Sequence, residues 1–261
     1  MDLLVLGSGS SGNAAIVRCG GTTVLVDAGL SARKLLARLA ALGVGAGDID
    51  AVLLTHEHGD HTGALPVLMR SLRCPIYATR LTADELCGQD PRNASSTWRT
   101  FSTGASFAIG SLQIDAFSVP HDAADPVGFT IRCQGVVLGL LTDLGHVNRS
   151  VIHHVTGAHC LFVEANHDEA LLQADTKRPF AIKQRIMSSH GHLSNRAAAD
   201  LATQILESGL RHVVLGHLSR DCNAPDIAIA TVREALHHAQ DVSVVAAGQD
   251  EPFTLAGIGT F

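Results

Sequence analysis

Short apolar runs bounded by glycine and polar residues open the chain and predict buried strands. Such runs occupy residues 2–6, 14–19, 22–26 and 51–54. Gly20-Gly21 separates the second run from the third and predicts a hairpin turn. Ser31 then precedes apolar residues at helical spacing, which predicts a helix that begins after Ser31 and ends near Leu42.

The pattern of apolar and polar residues predicts strands in the middle of the chain and alternating strands and helices in its last third. Predicted strands fill the middle at residues 106–109, 112–119, 127–133 and 136–141. The last third alternates strands at 159–164, 212–215 and 242–246 with helices at 168–173, 194–207 and 224–237. Together with a helix near 63–72, this order predicts stacked sheets with helices outside, a layered α/β fold.

The loop at residues 7–13 offers an alternative interpretation. It matches Gly-x-Gly-x-x-Gly after a first strand, with Asp27 about 20 residues further on, as in dinucleotide-binding folds. That fingerprint requires a helix to begin at the third glycine. Residues 13–21 instead predict a strand and a turn, so the sequence disfavours nucleotide binding. We expect a loop whose backbone closely approaches a substrate or a metal site.

A histidine-rich loop follows the predicted strand 51–54. Residues 55–61, here called the metal loop, are Thr-His-Glu-His-Gly-Asp-His. Imidazole and carboxylate groups together suit Zn, Mn or Fe. A bound cation would also offset the cost of crowding these groups at a strand end. A solvated loop that happens to be rich in histidine explains neither the spacing nor the position after a strand.

Composition narrows the class of protein. Hydrophobic residues make up 46% of the 261 residues and charged residues 17%, which is ordinary for a globular protein. No apolar run approaches the roughly 18–20 residues of a membrane helix, and the N-terminus lacks the basic start of a signal peptide. We therefore expect a cytoplasmic protein with no membrane partner, whose six scattered cysteines are free thiols.

Four further segments carry a resemblance to a known family. They are Leu-Gly-Ser-Gly-Ser-Ser-Gly-Asn at 6–13, Val-Glu-Ala-Asn-His-Asp at 163–168, His-Gly-His-Leu-Ser-Asn at 190–195 and Leu-Gly-His-Leu-Ser at 215–219. With the metal loop and the early hairpin, the chain resembles the metallo-β-lactamase superfamily and, within it, the YycJ (or WalJ) branch. The resemblance implies a four-layer αββα sandwich with metals at the sheet edges, formed by residues 1–261 as a single domain.

The resemblance also implies a site for two divalent metal ions. One ion would be held by His56, His58 and His121, the other by Asp60, His61 and His217, and Asp143 and a hydroxide would bridge them. Asp60 is counted among the catalytic residues as well. His121, Asp143 and His217 each follow an apolar run, so ligands from several strand ends can converge. Asp27 is implied to hydrogen-bond the metal loop. The ligand set admits Zn, Mn or Fe without choosing between them.

A second set of residues concerns catalysis. His192 resembles the histidine with which phosphodiesterase members protonate a leaving group, and His190 is its nearby competitor. Ser194 or Asn195 would cap the next helix, whose N-terminus could bind a phosphate oxygen. His167 belongs to one of the four segments, but the sequence suggests no role for it beyond packing.

One basic stretch departs from the net charge of −6, which itself argues against broad electrostatic binding of nucleic acid. Residues 175–196 hold five cationic side chains against one acid: Lys177, Arg178, Lys183, Arg185 and Arg196 against Asp175. The stretch is either a solvated face or, beside His192, a surface that follows a phosphate backbone. Lys183 and Arg185 are predicted substrate contacts, as are Ser194 and Asn195 at the start of the next helix.

The sequence therefore predicts a dinuclear-metal phosphodiesterase. The resemblance implies a DNA exonuclease, of 5′-to-3′ type, that acts in DNA repair or maintenance, with DNA as its partner and a homodimer left open. The alternative on the same fold is a small-molecule hydrolase: a thioesterase similar to glyoxalase II, a lactonase or a cyclic phosphodiesterase. A metal-dependent regulatory protein and a diiron electron-transfer protein are less favoured, because the full ligand set argues for chemistry and no room remains for a flavin domain.

Overall fold

Two sheets lie face to face between two layers of helices in the computed structural model, which describes residues 1–259. The last two residues of the predicted domain, 260 and 261, lie outside that range. The first sheet consists of β1 (Asp2–Gly7), β2 (Ala14–Cys19), β3 (Thr22–Val26), β4 (Ala51–Leu53), β5 (Ile76–Thr79), β6 (Trp98–Phe101) and β14 (Phe253–Leu255). The second consists of β7 (Ser106–Ile109), β8 (Leu112–Ser118), β9 (Val127–Cys133), β10 (Val136–Leu141), β11 (Cys160–Glu164), β12 (His212–Gly216) and β13 (Ser243–Ala246).

The helices follow strands of both sheets. Helices α1 (Ala32–Ala41), α2 (Gly59–Thr62), α3 (Leu65–Leu72) and α4 (Arg80–Gln89) follow strands of the first sheet. Helices α5 (Arg149–Val155), α6 (Glu169–Ala174), α7 (Phe180–Ile186), α8 (Asn195–Ile205) and α9 (Pro225–Ala235) follow strands of the second. Three short 3₁₀ turns lie at Ala46–Asp48, Pro91–Ser95 and Leu206–Ser208. Within residues 1–259, every helix is too short or too polar to cross a bilayer.

Three apolar layers hold this stack together. In β3, Val24 and Val26 belong to the core between the sheets, whereas Leu25 belongs to the core under α1 and α3. Strands of this kind are buried on both faces, which is why their sequences read as continuous apolar runs. A third core packs α5, α8 and α9 on the second sheet. The predicted four-layer αββα sandwich is confirmed.

Strand direction decides where the polar side chains meet. Strands β3, β4 and β5 are parallel, and so are β10, β11, β12 and β13. Because parallel strands end at the same edge of a sheet, the residues that follow them lie together. Thr55, Asp143 and His217 follow three of these strands, and Glu164 is the last residue of a fourth. This edge is the platform of the candidate site.

Most predicted elements are confirmed within a residue or two. Ser31 caps α1 by accepting a hydrogen bond from the backbone N–H of Lys34, as predicted. The loop at 7–13 leads into β2, which pairs antiparallel with β1, so the disfavoured nucleotide-binding interpretation is excluded. The structure adds β5, α2, α4, β6, α5, α7 and β14, which the apolar pattern did not indicate. The outer strand β6 and helix α7 bury no residue fully, which explains the missing signal.

Candidate metal centre

The metal loop is held rigidly by bonds to its own backbone and to the loop at 7–13. Thr62 Oγ1 donates to the carbonyls of Glu57 and His58 at 3.1 and 3.0 Å. The backbone N–H of Asn13 donates to the carbonyl of Asp60 at 2.7 Å. Gly29 packs so closely on Asp60 that a Cβ there would overlap its carbonyl group. The loop at 7–13 therefore approaches the metal site, as predicted.

The Asp143 carboxylate lies at the centre of the site and is 3% exposed. Its Oδ2 is 3.2 Å from His56 Nε2, 2.9 Å from His61 Nε2 and 3.7 Å from His121 Nε2. Its Oδ1 contacts His217 Nδ1. Four of the predicted ligands thus surround the predicted bridging carboxylate.

All seven predicted ligands come together, in the two predicted groups. The first group is His56, His58, His121 and Asp143, and the second is Asp60, His61, Asp143 and His217. Within each group the potential ligand atoms all lie within 4.8 Å of one another. Asp143 is common to both groups, which is the arrangement that a bridging carboxylate requires.

The donor set fits a divalent cation. Asp143 Oδ1 and His217 Nδ1 face each other in direct contact, and neither of these buried atoms has a hydrogen bond to any other group among the described residues, although buried polar atoms normally have such partners. A cation at this position would satisfy both atoms. Imidazole nitrogens and carboxylate oxygens in clusters of four are ligands for Zn, Mn or Fe. The residues present therefore form a site for divalent metal.

The nitrogens that face away from Asp143 are also occupied. His61 Nδ1 lies 2.8 Å from Asp27 Oδ2, and His121 Nδ1 lies 3.1 Å from the carbonyl of Gly191. His56 Nδ1 lies 3.0 Å from Thr55 Oγ1. Such bonds orient an imidazole and leave its other nitrogen free for a metal.

Asp27 connects this outer set to the metal loop. Its Oδ1 accepts from the backbone N–H of Thr55 at 2.9 Å, so one carboxylate orients His61 and fixes the start of the loop. Asp27 and His217 have φ values of 58° and 53°, in the left-handed region that non-glycine residues seldom adopt. Strain of this kind persists where the surrounding structure holds it, commonly at functional sites.

Burial and charge set the protonation of the centre. Burial would raise the pKa of Asp143, but the neighbouring His217 and His61 outweigh it and hold that pKa well below its usual range. Burial lowers the pKa of His121 to about 4, so this ring is neutral. A neutral imidazole and an ionised carboxylate are the forms that bind metals.

His192 lies beside the metal groups and pairs with Glu164. His192 Nδ1 is 2.7 Å from Glu164 Oε1, and the other carboxylate oxygen accepts from the backbone N–H groups of Leu144 and Leu193. Burial disfavours the charged ring, but Glu164, followed by Asp143 and Asp60, outweighs it and raises the pKa of His192 to about 9. His190, the competitor, is exposed and its Nδ1 lies next to Ser189 Oγ.

Glu164 is the functional residue that the sequence analysis missed. It forms a third cluster with Asp143, His192 and His217. Its lone pairs are already used by His192 and two backbone N–H groups, so we assign it to orienting His192 rather than to metal. The sequence held a signal for Glu164, because this residue ends an apolar strand within the segment 163–168. Asp143 and His217 likewise follow apolar strands.

A cavity of about 440 Å³, here called the metal cavity, opens onto the site. Its wall includes Ser10, His58, Asp122, Arg185 and His192. Arg185 forms a 2.7 Å ion pair with Asp122 across the rim.

The other predicted substrate contacts lie elsewhere. Lys183 Nζ donates to the carbonyl of Gln173, and the side chain does not line the metal cavity. Ser194, one of the two predicted caps, caps α8 by accepting a hydrogen bond from the backbone N–H of Ala197. Asn195 is 2% exposed and exchanges two amide hydrogen bonds with Asn223. The structure therefore brings only Arg185 of these four residues to the metal cavity.

The contacts of Asp27 lead to a prediction about metal affinity. Asp27→Asn removes the charge that orients His61, so we expect the affinity for Zn²⁺ to fall about 10- to 100-fold. Competition with a chromogenic chelator measures it. Asp226→Asn, an exposed aspartate in the first turn of α9, is the matched control. Equal zinc affinity in Asp27→Asn and wild type would show that His61 is oriented without this carboxylate.

Comparison with known proteins places this geometry in a family. A family model described as beta-lactamase superfamily domain matches residues 22–218. Exodeoxyribonuclease YycJ of Bacillus anthracis is 34% identical over 235 residues, which cover 89% of this chain and 88% of the relative. Exodeoxyribonuclease WalJ of Streptococcus pneumoniae is 35% identical over 237 residues, covering 90% and 88%.

Solved structures show the same fold at lower identity. The metallo-beta-lactamase fold protein YhfI of Bacillus subtilis superposes with a TM-score of 0.73 at 18% identity, covering 97% of this chain and 98% of the other. The short form of human tRNase Z gives a TM-score of 0.70 at 19% identity and covers all of both chains. The chain therefore belongs to the metallo-β-lactamase superfamily, within it to the YycJ and WalJ group, and is a metal-dependent hydrolase.

Proposed function

We propose that this chain is a phosphodiesterase that uses two divalent metal ions, Zn, Mn or Fe, to cleave DNA. The observation that carries the proposal is the His192–Glu164 pair beside two ligand groups that share Asp143. An ester of low reactivity requires both stabilisation of charge on phosphorus and a proton for the departing oxygen. The site provides residues for both.

The metal groups supply the electrostatic part. Two divalent ions in such a site generate a nucleophile near neutral pH and stabilise charge on the phosphoryl oxygens. The chain contributes a rigid frame: Asp27, Thr55 and the carbonyl of Gly191 hold the histidine rings from outside. A fixed frame keeps the ligands from reorganising during the reaction.

His192 supplies the proton. As the oxygen of water bonds to phosphorus, the bond from phosphorus to the leaving oxygen breaks, and that oxygen takes the proton of His192. The attacking water releases one proton to solvent, and His192 takes a proton back from solvent after the products leave. Glu164 holds the ring through Nδ1, so Nε2 is the nitrogen that can reach the leaving oxygen. The carboxylate also favours the protonated ring that this role needs.

The proposed substrate rests on the names of two relatives and on one cationic side chain, that of Arg185. The names of YycJ and WalJ describe exodeoxyribonucleases; an exonuclease of 5′-to-3′ type, serving DNA repair or maintenance in the cytoplasm, is what we propose for this chain. Arg185 at the rim of the metal cavity is the candidate contact to a phosphate of the strand. Lys183, Ser194 and Asn195 are bonded elsewhere, so we do not assign the strand to them. A homodimer stays a prediction.

One observation favours a second candidate, a hydrolase of small molecules. Among the described residues that line the metal cavity, Arg185 is the only lysine or arginine, and Asp122 already neutralises it. A small thioester, lactone or cyclic phosphodiester would need no basic surface beyond the metals. The dependence of activity on salt separates the two functions.

The first prediction of the proposed function concerns the reaction itself. Protein stripped of metal and reloaded with Mn, Zn or Fe is expected to shorten end-labelled DNA, because the metal groups and His192 together activate a phosphodiester. His58→Ala, which removes a ligand of one group, is expected to lose at least about 100-fold in rate, in line with the loss of metal-assisted catalysis. The labelled end reveals polarity.

The opposite outcome is equally informative. Cleavage by His58→Ala at the wild-type rate would exclude the metal centre as the source of the activity. No DNA cleavage with any of the metals, while a thioester or bis-p-nitrophenyl phosphate is hydrolysed, would favour the second candidate.

The second prediction tests the His192–Glu164 pair. Glu164→Gln is expected to lower kcat on DNA by about 100-fold, because His192 would lose its orientation and its proton. The loss on bis-p-nitrophenyl phosphate is expected to be much smaller, since nitrophenolate leaves without a proton. Equal losses on both substrates would indicate that Glu164 only stabilises the fold.

The third prediction tests Arg185 against a neighbour on the same helix. Arg185→Gln is expected to weaken DNA binding and to reduce the slope of log K against log[salt] by about 0.7–0.9, the loss of one phosphate contact. Lys183→Gln is the matched control, because this side chain does not line the metal cavity. Identical salt slopes for Arg185→Gln and wild type would remove Arg185 from the DNA interface.

A further inference from the structure

A second cavity of about 400 Å³ lies on the other side of His192 and is not used by the metal centre. His192 lines both cavities and therefore stands between them. The second cavity is lined by the segment after β10, by α6 and by one face of α8 from its first to its last turn; its lining includes Val147, His167, Gln173, Met187, Ala197 and Gln204. Its volume lies in the range of small-molecule sites.

His167 is the feature of this cavity that calls for a ligand. The residue is 3% exposed, and its side chain makes no hydrogen bond or ion pair within residues 1–259. Buried polar side chains are normally satisfied. The backbone of His167 is held in place, because the N–H of Asn195 donates to its carbonyl. An imidazole held in place without a partner can donate to or accept from a bound molecule.

The charges of the lining decide the class of that molecule. Glu169 and Asp200 line the second cavity together with His192, whose charge Glu164 already pairs. Arg196 pairs with Asp200 at 3.3 Å, but among the described residues that line the cavity there is no lysine or arginine. This lining offers a phosphate group no lysine or arginine, whereas an uncharged group with N–H donors can bind the carboxylates and the amides of Gln173 and Gln204. Val147 and Met187 add apolar surface, and the sulfur of methionine packs well against aromatic rings. A nucleobase has this combination of a flat apolar face and a polar edge.

We propose that the second cavity is the subsite for the nucleoside on the leaving-group side of the scissile phosphate, with its base against Met187 and His167. The inference rests on the proposed function and extends it. With the phosphate at the metal groups and the leaving oxygen at His192, the departing nucleoside extends past His192. The second cavity shares His192 with the metal cavity and is therefore the space next to that leaving oxygen. It also gives His167 a role that the sequence did not suggest.

Filling the cavity tests the subsite. Ala197→Leu places a larger side chain in the lining, and the exposed Ala230→Leu on α9 is the matched control. The substrates are end-labelled DNA and the same DNA with one abasic residue on the leaving side of the cleaved bond. The position of phosphate in the products identifies that side.

The expected result is a coupled loss. An abasic residue on the leaving side lowers kcat/KM of wild type and of Ala230→Leu about tenfold, and the same residue on the other side does not. Ala197→Leu cleaves intact DNA about tenfold more slowly and no longer distinguishes it from abasic DNA. Met187→Ala, an exposed side chain whose loss leaves the core intact, shows the same trend. If Ala197→Leu still distinguishes intact DNA from abasic DNA as well as wild type does, the proposed subsite is overturned.

A binding measurement separates this inference from the proposed function. Deoxyadenosine binding to the metal-loaded protein is followed by saturation-transfer NMR, which needs no cleavage. Binding that is lost in Ala197→Leu and kept in Ala230→Leu supports the subsite even if wild type cuts no DNA. Binding that is the same in all three proteins, or absent from wild type, overturns it.

Discussion

The buried carboxylate of Asp143 is the constraint on which the rest of the structure depends. An ionised group with 3% exposure is stable only when opposite charge or hydrogen bonds surround it. His56, His61, His121 and His217 all direct a ring nitrogen toward it. These rings come from the metal loop and from the ends of two further strands, so the position of one carboxylate ties both sheets together at one edge.

The arrangement of the strands makes this convergence possible. Parallel strands of the two sheets end at a common edge, and the residues after them can share a site although they are far apart in the chain. The cost is visible in the backbone. Asp27 and His217 adopt left-handed φ values directly after β3 and β12, where the chain must turn sharply to present a side chain. Apolar layers on both faces of each sheet compensate for that strain.

His192 lies between the metal centre and the helices that pack on the second sheet. Glu164 ends the neighbouring strand β11 and bonds the backbone on both sides of the site, at Leu144 and Leu193, while it holds the ring of His192. The ring is therefore fixed by the same frame that places Asp143 and His217. The side chain of His192 lines both the metal cavity and the second cavity. One residue can therefore take part in bond cleavage and lie beside the departing group.

The sequence by itself determined whatever depends on neighbours in the chain: the buried strands, the Ser31 and Ser194 caps, and the metal loop, whose ligand types and spacing lie within seven residues. The family resemblance added Asp143 and His217 to the predicted metal ligands, and the structure brings both residues next to the metal loop. Only the tertiary structure decided that Glu164 holds His192, 28 residues away, and that Arg185 pairs with Asp122, 63 residues away. Such pairs depend on which strand ends and loops become neighbours, and the packing of the two sheets decides that rather than any local pattern. For the same reason the poorly buried β6 and α7 escaped an analysis of apolar periodicity.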